Sequence, residues 1–318
     1  MDSDGRKYCI MKKMFHLCIS SSDEVMFRCQ EDYLRAFNYF ALASYSTGTL
    51  LLCDAIMSNH IHSCVISSRL EEMAAEFKYS YSRYFNSRYH RRGGLGEKKP
   101  VVVEVEGAHH ILAALSYTLR NPYHHGIAST PFGYEHSSAN IFFQKELGKF
   151  PLYCDSLPKS KYELLPSRAS VPPHFKFDSR GMFTRESVME VSQVELMYGS
   201  ARNFLFYMNR LSGEKWECEQ REDKGVISEV VKLESVERCS VNMDCGRMLA
   251  NEKRRWNSQK VRDIELCEEI DNVLVPRCGR RSVYTLTASE KDKIANYLYA
   301  RHISESQIRR CLCYSYGG

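Results

Sequence analysis

The sequence predicts an α+β protein, with a ferredoxin-like antiparallel sheet that carries helices on one face and a mostly α-helical C-terminal region. Over residues 14–120, short β-prone runs alternate with segments of helical period in the order β-α-β-β-α-β-α, which is the split arrangement of that fold. Beyond about residue 180, the segments with a readable period are all helical. Many functions share this fold class, so the function has to be inferred from particular residues.

The first part of the predicted sheet contains three strands and one helix. Residues 14–19 are apolar and β-prone, and residues 31–44 repeat apolar side chains at the helical period. The run 49–56 is almost entirely apolar, which is typical of a strand in the middle of a sheet. A turn at 57–59 then lets the strand 60–67 pair with the preceding one as a hairpin.

The remaining elements of the sheet domain are two helices and one strand. Residues 70–85 have a helical period, and the loop 91–96 contains three glycines. Residues 101–106 form a strand of β-branched residues, and 108–120 form a helix. We expect this helix to stop at Pro122, because proline disfavours helical geometry in the residue before it.

Three regions follow from the pattern along the chain. Residues 1–150 hold the predicted sheet domain, and the proline-punctuated stretch 151–180 is expected to be a linker or a wrapping arm. Residues 181–318 form the helical region, in which 187–211 is a predicted helix with an interruption at Gly199.

A candidate helix-turn-helix occupies residues 287–314. Thr287 and Glu290, and then Ser304 and Gln307, have the spacing of capping boxes, which begin helices. The second helix is basic, which favours reading of duplex DNA over a plain helical hairpin packed on the main domain. The residues expected to contact DNA are Gln307, Arg309 and Arg310.

Composition excludes several classes of protein. The 13 cysteines contain no C-x-x-C pair, so a zinc ribbon is not expected, and Cys18, Cys53 and Cys64 are predicted to be small buried hydrophobes. No run approaches the roughly 20 apolar residues that span a bilayer. The acidic start of the chain does not resemble a signal peptide. We therefore expect a cytoplasmic protein without a membrane partner.

The net charge is only +5, but cations cluster beside aromatic side chains. A single nucleic-acid strand favours this mixture, since cations bind phosphates and ring faces stack on bases. A solvated helix face could have the same composition. The residues expected to contact single-stranded DNA are Lys78, Arg83, Tyr84, Arg88, Arg91 and Arg92.

Two short motifs suggest chemistry. His60 and His62 lie two apart on a predicted strand and therefore on one face, where two imidazoles could bind a divalent cation. The alternative is one exposed and one buried structural histidine. Tyr117 and Asn121 share a helix face, so an Asn121 ligand would bring the metal within reach of Tyr117 as a nucleophile. Taken alone, one tyrosine among 20 is far more often a core aromatic than a nucleophile.

Three segments together resemble the REP-associated tyrosine transposases over about residues 8–145. The run 57–65, MSNHIHSCV, is similar to their histidine motif, and 81–95 is similar to their basic aromatic segment. The run 115–122, LSYTLRNP, is similar to the segment that carries their nucleophile. The chain departs from the family at Ser58, Ser63, Cys64, Thr118 and Leu119, none of which is an inferred ligand.

The resemblance implies an HUH endonuclease fold for residues 1–150 and a transposase that acts on single-stranded or hairpin DNA. Tyr117 would form a 5′-phosphotyrosine bond and leave a free 3′ hydroxyl, while His60, His62 and Asn121 would hold Mg²⁺ or Mn²⁺. Family members are monomers or dimers, so a homodimer is possible.

Two alternatives stay open. The chain could be a replication-type or conjugation-type HUH nickase, although position 113 is Ala113 and offers no second tyrosine one turn from Tyr117. It could also be a DNA-binding regulator of repeat sequences that has kept the fold and lost the activity.

Overall fold

A computed structural model describes residues 12–148, 159–209 and 261–314. Its sheet domain consists of β1 (Lys13–Ser20), α1 (Gln30–Thr47), β2 (Leu50–Met57), β3 (His60–Ser67), α2 (Leu70–Tyr89), β4 (Val101–Glu104) and α3 (Ala108–His124). The later helices are α4 (Arg185–Val188), α5 (Val191–Tyr198), α6 (Ala201–Asn209), α7 (Asp263–Glu269), α8 (Ala288–Ala300) and α9 (Glu305–Leu312). Short 3-10 turns lie at Lys159–Leu164 and Val283–Thr285, and α7 continues through a π-turn, Ile270–Leu274, into a last turn, Val275–Arg277.

The sheet has four strands in the order β2-β3-β1-β4, and every neighbouring pair is antiparallel. This confirms the predicted α+β class and its ferredoxin-like order. Cys18 pairs with His62, and Ala55 pairs with His62 from the other side. β3 therefore lies inside the sheet, and its histidines are surrounded by strands on both sides.

Helices cover both faces of the sheet, whereas the sequence predicted helices on one face only: α1 and α2 occupy one face and α3 the other. α1 and α2 pack against each other, for example through the edge-to-face rings of Phe40 and Phe77. They lie on the face of Asp54, whose carboxylate binds Arg185; this guanidinium lies 4.5 Å from the centre of the Phe37 ring in α1. α3 packs on the opposite face, which carries the histidines.

Pro122 does not end α3, contrary to the sequence prediction, because the helix continues to His124. The proline stands in the last turn, where the loss of one amide donor interrupts little of the helix. Its carbonyl accepts backbone amides from Ile127 and Ala128, at 2.9 and 3.3 Å. The helix thus ends in a turn in which the Pro122 carbonyl is hydrogen-bonded, and Asn121 stays within the helix on the face that meets the sheet.

The described part of the predicted arm packs onto α1. Asn38 of α1 donates to the Leu164 carbonyl at 3.5 Å, and directly after the arm it donates to the Gly181 carbonyl at 3.0 Å and accepts the Phe183 amide at 2.7 Å. Phe175 and Phe177 are buried in the same hydrophobic core as the sheet. The predicted helix 187–211 is broken where Gly199 adopts a left-handed conformation, while residues 210 and 211 lie outside the described ranges.

A second hydrophobic core lies in the C-terminal region. Its buried side chains include Leu266, Ile270, Leu298 and Ile308, together with Val25 from the loop after β1. Next to it, the buried Arg28 guanidinium binds the Asp271 carboxylate at 2.7 and 2.8 Å, and the Cys311 carbonyl at 2.9 Å. The C-terminal helices are therefore bound to the loop that leads from β1 into α1.

Candidate active site

His60 and His62 lie at the start of β3, directly after the turn Ser58–Asn59. Successive strand residues alternate between faces, so both imidazoles face α3 while Ile61 faces the other way. Both side chains are completely buried. The Cys64 thiol on the same face lies 3.5 Å from the Thr118 hydroxyl, which fixes where α3 crosses the sheet.

Asn59 determines which nitrogen of His60 carries the proton. The Asn59 amide Nδ2 donates to the Ser21 carbonyl at 3.1 Å, so its Oδ1 faces His60 Nδ1 at 2.8 Å. An amide oxygen only accepts, so Nδ1 of His60 donates and its Nε2 keeps the lone pair. Burial, with a smaller contribution from His125, lowers the pKa of His60 to about 3, and the ring is neutral at neutral pH.

α3 brings Asn121 and Tyr117 to the histidines. Asn121 Oδ1 lies 3.3 Å from His60 Nε2, and Asn121 is completely buried. The half-buried Tyr117 places its ring 5.4 Å from that of His62, edge to face. The four side chains selected from the sequence therefore meet on one face of the sheet.

Two further histidines border this site, and the sequence analysis missed both. His16, on β1, places its Nε2 3.2 Å from His62 Nδ1, and the rings stack 5.1 Å apart at 26°. His125 follows Asn121 by one turn of α3, and its ring lies 5.9 Å from that of His60. The period of two along a strand and of four along a helix would have placed His16 and His125 on the face that carries His60 and His62.

The donor set fits a divalent cation. His60 Nε2 and Asn121 Oδ1 face each other with lone pairs, and His62 Nε2 is buried without a hydrogen-bond partner among the described residues. Burial lowers the pKa of His62 well below its ordinary value, so the ring is neutral at neutral pH and one of its two nitrogens keeps a lone pair. A cation would satisfy these atoms, and a mixed imidazole and amide set suits Mn²⁺ at least as well as Mg²⁺.

The third protein ligand would be the amide of Asn121. Over residues 12–148, 159–209 and 261–314, no group of three or more histidine, cysteine, aspartate or glutamate side chains is placed to hold a metal ion. A cation bound by His60 and His62 would thus need Asn121 and oxygen atoms from water or a phosphate to complete its shell.

Three of the side chains expected to contact single-stranded DNA are bonded to acidic residues. The Tyr84 hydroxyl donates to the buried Asp32 carboxylate at 2.6 Å. Arg88 Nη1 binds Glu31 at 2.8 Å, and Arg91 Nε binds Glu24 at 2.9 Å. These pairs connect α2 and its following loop to α1 and the loop before it, so a phosphate would have to compete with them.

Two of the other three are exposed and make no such pair with an acidic side chain in the described residues. Arg83 and Arg92 are exposed, and the Arg83 guanidinium lies 5.6 Å from the centre of the exposed Tyr79 ring. Lys78 is partly buried, and its ammonium donates to the carbonyls of Glu97 and Lys98. Arg83 and Arg92 are therefore the best placed of the six to meet a phosphate backbone.

The prediction for α9 needs correction. The helices predicted within 287–314 form, and Ser304 accepts the Gln307 amide, but the Gln307 side chain binds Asp263 at 2.9 Å instead of completing the capping box. Arg310 also binds Asp263, through Nε at 2.6 Å, and both side chains are buried. Gln307 and Arg310 therefore fill a structural role here and cannot reach a base pair.

Arg309 is exposed, whereas Gln307 and Arg310 on the same helix are buried. It lines a cavity of about 450 Å³ together with Asn59, Asp23 and Tyr314. Because Asn59 also binds His60, this cavity lies beside the candidate site, and of the three residues predicted on α9 only Arg309 is exposed.

Comparisons with known proteins find a distant structural likeness. No protein-family model and no curated protein matches the chain. Among solved structures, a REP-associated tyrosine transposase bound to a REP hairpin matches 54% of this chain and 98% of its own, with 11% identity and a TM-score of 0.37. This is distant structural similarity, and the function has to be argued from the site itself. Within the described ranges, no helix has the length and hydropathy needed to cross a membrane.

Proposed function

We propose that the chain is a metal-dependent endonuclease and strand transferase that acts on single-stranded or hairpin DNA through a phosphotyrosine intermediate. The observation that supports this proposal is the convergence of His60, His62, Asn121 and Tyr117 on one buried face. These side chains come from two elements that are about 60 residues apart in the sequence, as the His60–Asn121 pair illustrates.

Each residue has a distinct task in the proposed reaction. A bound divalent cation would supply Lewis acidity that withdraws charge from the scissile phosphate. Tyr117 attacks the phosphorus, so its oxygen forms the new P–O bond while the bond to the 3′ oxygen breaks. The phenol proton leaves to water, and the departing 3′ oxygen takes up a proton. The phosphotyrosine keeps the bond energy for transfer to a new 3′ hydroxyl.

A cleavage assay with matched variants tests this proposal. Labelled hairpin DNA with single-stranded flanks is incubated with Mg²⁺ or Mn²⁺ and with the wild type, Tyr117→Phe or Tyr123→Phe. Tyr123 is an exposed tyrosine of the same helix, so its variant controls for the loss of a hydroxyl. We expect cleavage by the wild type and Tyr123→Phe only, and none in chelator. Cleavage by Tyr117→Phe would overturn the proposal.

One observation favours the alternative of a regulator that binds DNA without cutting it. His60 and His62 are completely buried, so a phosphate can reach them only if α3 or the neighbouring loops move. A regulator would bind DNA equally well with metal and with chelator, and would leave every substrate intact. A nuclease would cut as soon as the site opens around a bound strand.

A further inference from the structure

We infer that His16 is a positioning residue, which accepts a hydrogen bond from His62 Nδ1 and so keeps the His62 Nε2 lone pair directed into the site. This inference rests on the proposed metal-binding function. It assigns to β1 a task in the site, whereas the proposed metal ligands and nucleophile all lie on β3 and α3.

The pair is held tightly by the sheet. β1 and β3 are antiparallel, with Cys18 opposite His62 and His16 opposite Cys64, so the two imidazoles are diagonal neighbours on one face. Both rings are completely buried, and they stack with His16 Nε2 3.2 Å from His62 Nδ1. The Tyr117 ring lies 5.8 Å from that of His16, so it packs beside the same pair.

Only two arrangements of the protons satisfy this contact. If His62 Nδ1 donates, His62 Nε2 has a lone pair and can bind a cation. If His16 Nε2 donates instead, His62 must carry its own proton on Nε2, and that nitrogen cannot be a ligand. A site that binds metal through His62 therefore requires His16 as the acceptor.

The neighbouring histidine has the same arrangement. Asn59 Oδ1 accepts from His60 Nδ1 at 2.8 Å and leaves Nε2 toward the site. Each ligand of the H-x-H motif thus has its own acceptor behind it, an amide for His60 and an imidazole for His62. Such partners orient ligands and set their tautomers in metal sites generally.

Without His16, the tautomer of His62 would reverse. A neutral imidazole in water carries its proton mainly on Nε2, and a buried ring without an acceptor at Nδ1 has no reason to depart from that preference. His16→Leu removes the acceptor at similar volume. His16→Gln keeps a carbonyl oxygen at about the reach of the original Nε2 and should restore the bond.

The test measures the tautomer and the metal affinity separately. Imidazole ¹⁵N chemical shifts of His62, assigned with a His62→Asn variant, report the tautomer with and without Mg²⁺. Mn²⁺ binding to the purified, DNA-free protein is followed by electron paramagnetic resonance. His136→Leu removes another buried histidine, which stacks on Tyr33 at 4.0 Å and has no part in the proposed site, and it serves as the matched control.

We expect wild-type His62 to be protonated on Nδ1 in Mg²⁺. His16→Leu should shift that proton to Nε2 and weaken Mn²⁺ binding by about 10–100-fold, while His16→Gln should recover most of the affinity. His136→Leu should leave both readouts unchanged. The wild-type spectrum and His16→Gln keep the test valid if His16→Leu does not fold.

The outcomes that overturn the inference differ from those that overturn the proposed function. A wild-type protein that binds Mn²⁺ with His62 protonated on Nε2, or an affinity that is equal in His16→Leu and wild type, overturns the role of His16 alone. Equal losses in the leucine and glutamine variants do so as well. A wild-type protein that binds no Mn²⁺ overturns the proposed metal site and the inference with it.

Discussion

Asp263, the first residue of α7, is a buried acceptor that joins α7 to α9 and to the turn before β3. Its Oδ1 accepts from Gln307 at 2.9 Å and from Arg310 at 2.8 Å, and its Oδ2 accepts from Ser58 and Arg310, both at 2.6 Å. The side chains of Asp263 and Arg310 are 2% and 5% exposed. Asp263→Asn preserves the shape and removes the charge, which leaves the Arg310 guanidinium buried without its counter-charge. Removing one partner of such a pair costs about 3–5 kcal/mol, and we expect the free energy of unfolding of this region to fall by that amount.

A double variant distinguishes a lost ion pair from general damage. Asp263→Asn combined with Arg310→Met leaves no isolated charge, so it should recover at least about 2 kcal/mol of the loss. Urea unfolding measures each variant, and hydrogen exchange of the α9 amides reports the C-terminal region itself. Glu72→Gln, at an exposed pair with Arg69, is the control and should leave the midpoint unchanged. Equal losses in the single and double variants would contradict this prediction, because they would mean that the buried charge of Arg310 costs nothing.

Three further predictions concern the loop, the pH dependence and the DNA contacts. Gly96 has φ +72°, and a Cβ there would lie 2.6 Å from a backbone oxygen of β1. Gly96→Ala should therefore lower the free energy of unfolding, measured by thermal unfolding, by about 1–3 kcal/mol. Gly94→Ala, at a position with open space around it, should leave it unchanged. Burial, followed by nearby arginines, lowers the pKa of His136 well below its ordinary value, so only the unfolded chain takes up this proton as the pH falls below about 6.5. The free energy of unfolding should therefore fall by about 1.4 kcal/mol per pH unit in that range. His136→Phe, which can keep the stack on Tyr33, should remove this contribution, and an unchanged pH profile in that variant would contradict the prediction. Arg92→Ala should weaken binding of single-stranded DNA and lower the slope of log affinity against log salt by about 1, and an unchanged slope would exclude Arg92 from the phosphate contacts.

The sheet domain could be predicted from the sequence because its local patterns agree with its tertiary packing. The strand 60–67 was predicted with the bounds that the structure has, since a turn precedes it and β-prone residues fill it. Two periods, two along a strand and four along a helix, placed His60 with His62 and Tyr117 with Asn121, whereas the meeting of the two pairs was implied by the family resemblance. The predicted end of α3 was wrong because a helix tolerates a proline such as Pro122 in its last turn, although proline disfavours helical geometry in the residue before it.

What could not be predicted depends on partners far away in the sequence. Gln307 and Arg310 have the spacing of a basic reading helix, and only the fold reveals that Asp263, more than 40 residues earlier, binds both. Arg309, between them, is exposed. A pattern of charges on a short helix does not distinguish the arginine that faces solvent from the one that is buried.

The central claim is that Tyr117 forms a covalent bond to DNA. The most direct test is to trap the adduct on a hairpin substrate with a cleavable single-stranded flank in Mn²⁺, digest the protein, and map the modified peptide by mass spectrometry. We expect one adduct, on Tyr117, joined to the 5′ phosphate, and absent after His60→Ala or in chelator. An adduct on Tyr123 or another residue, or cut DNA without any adduct, would contradict it.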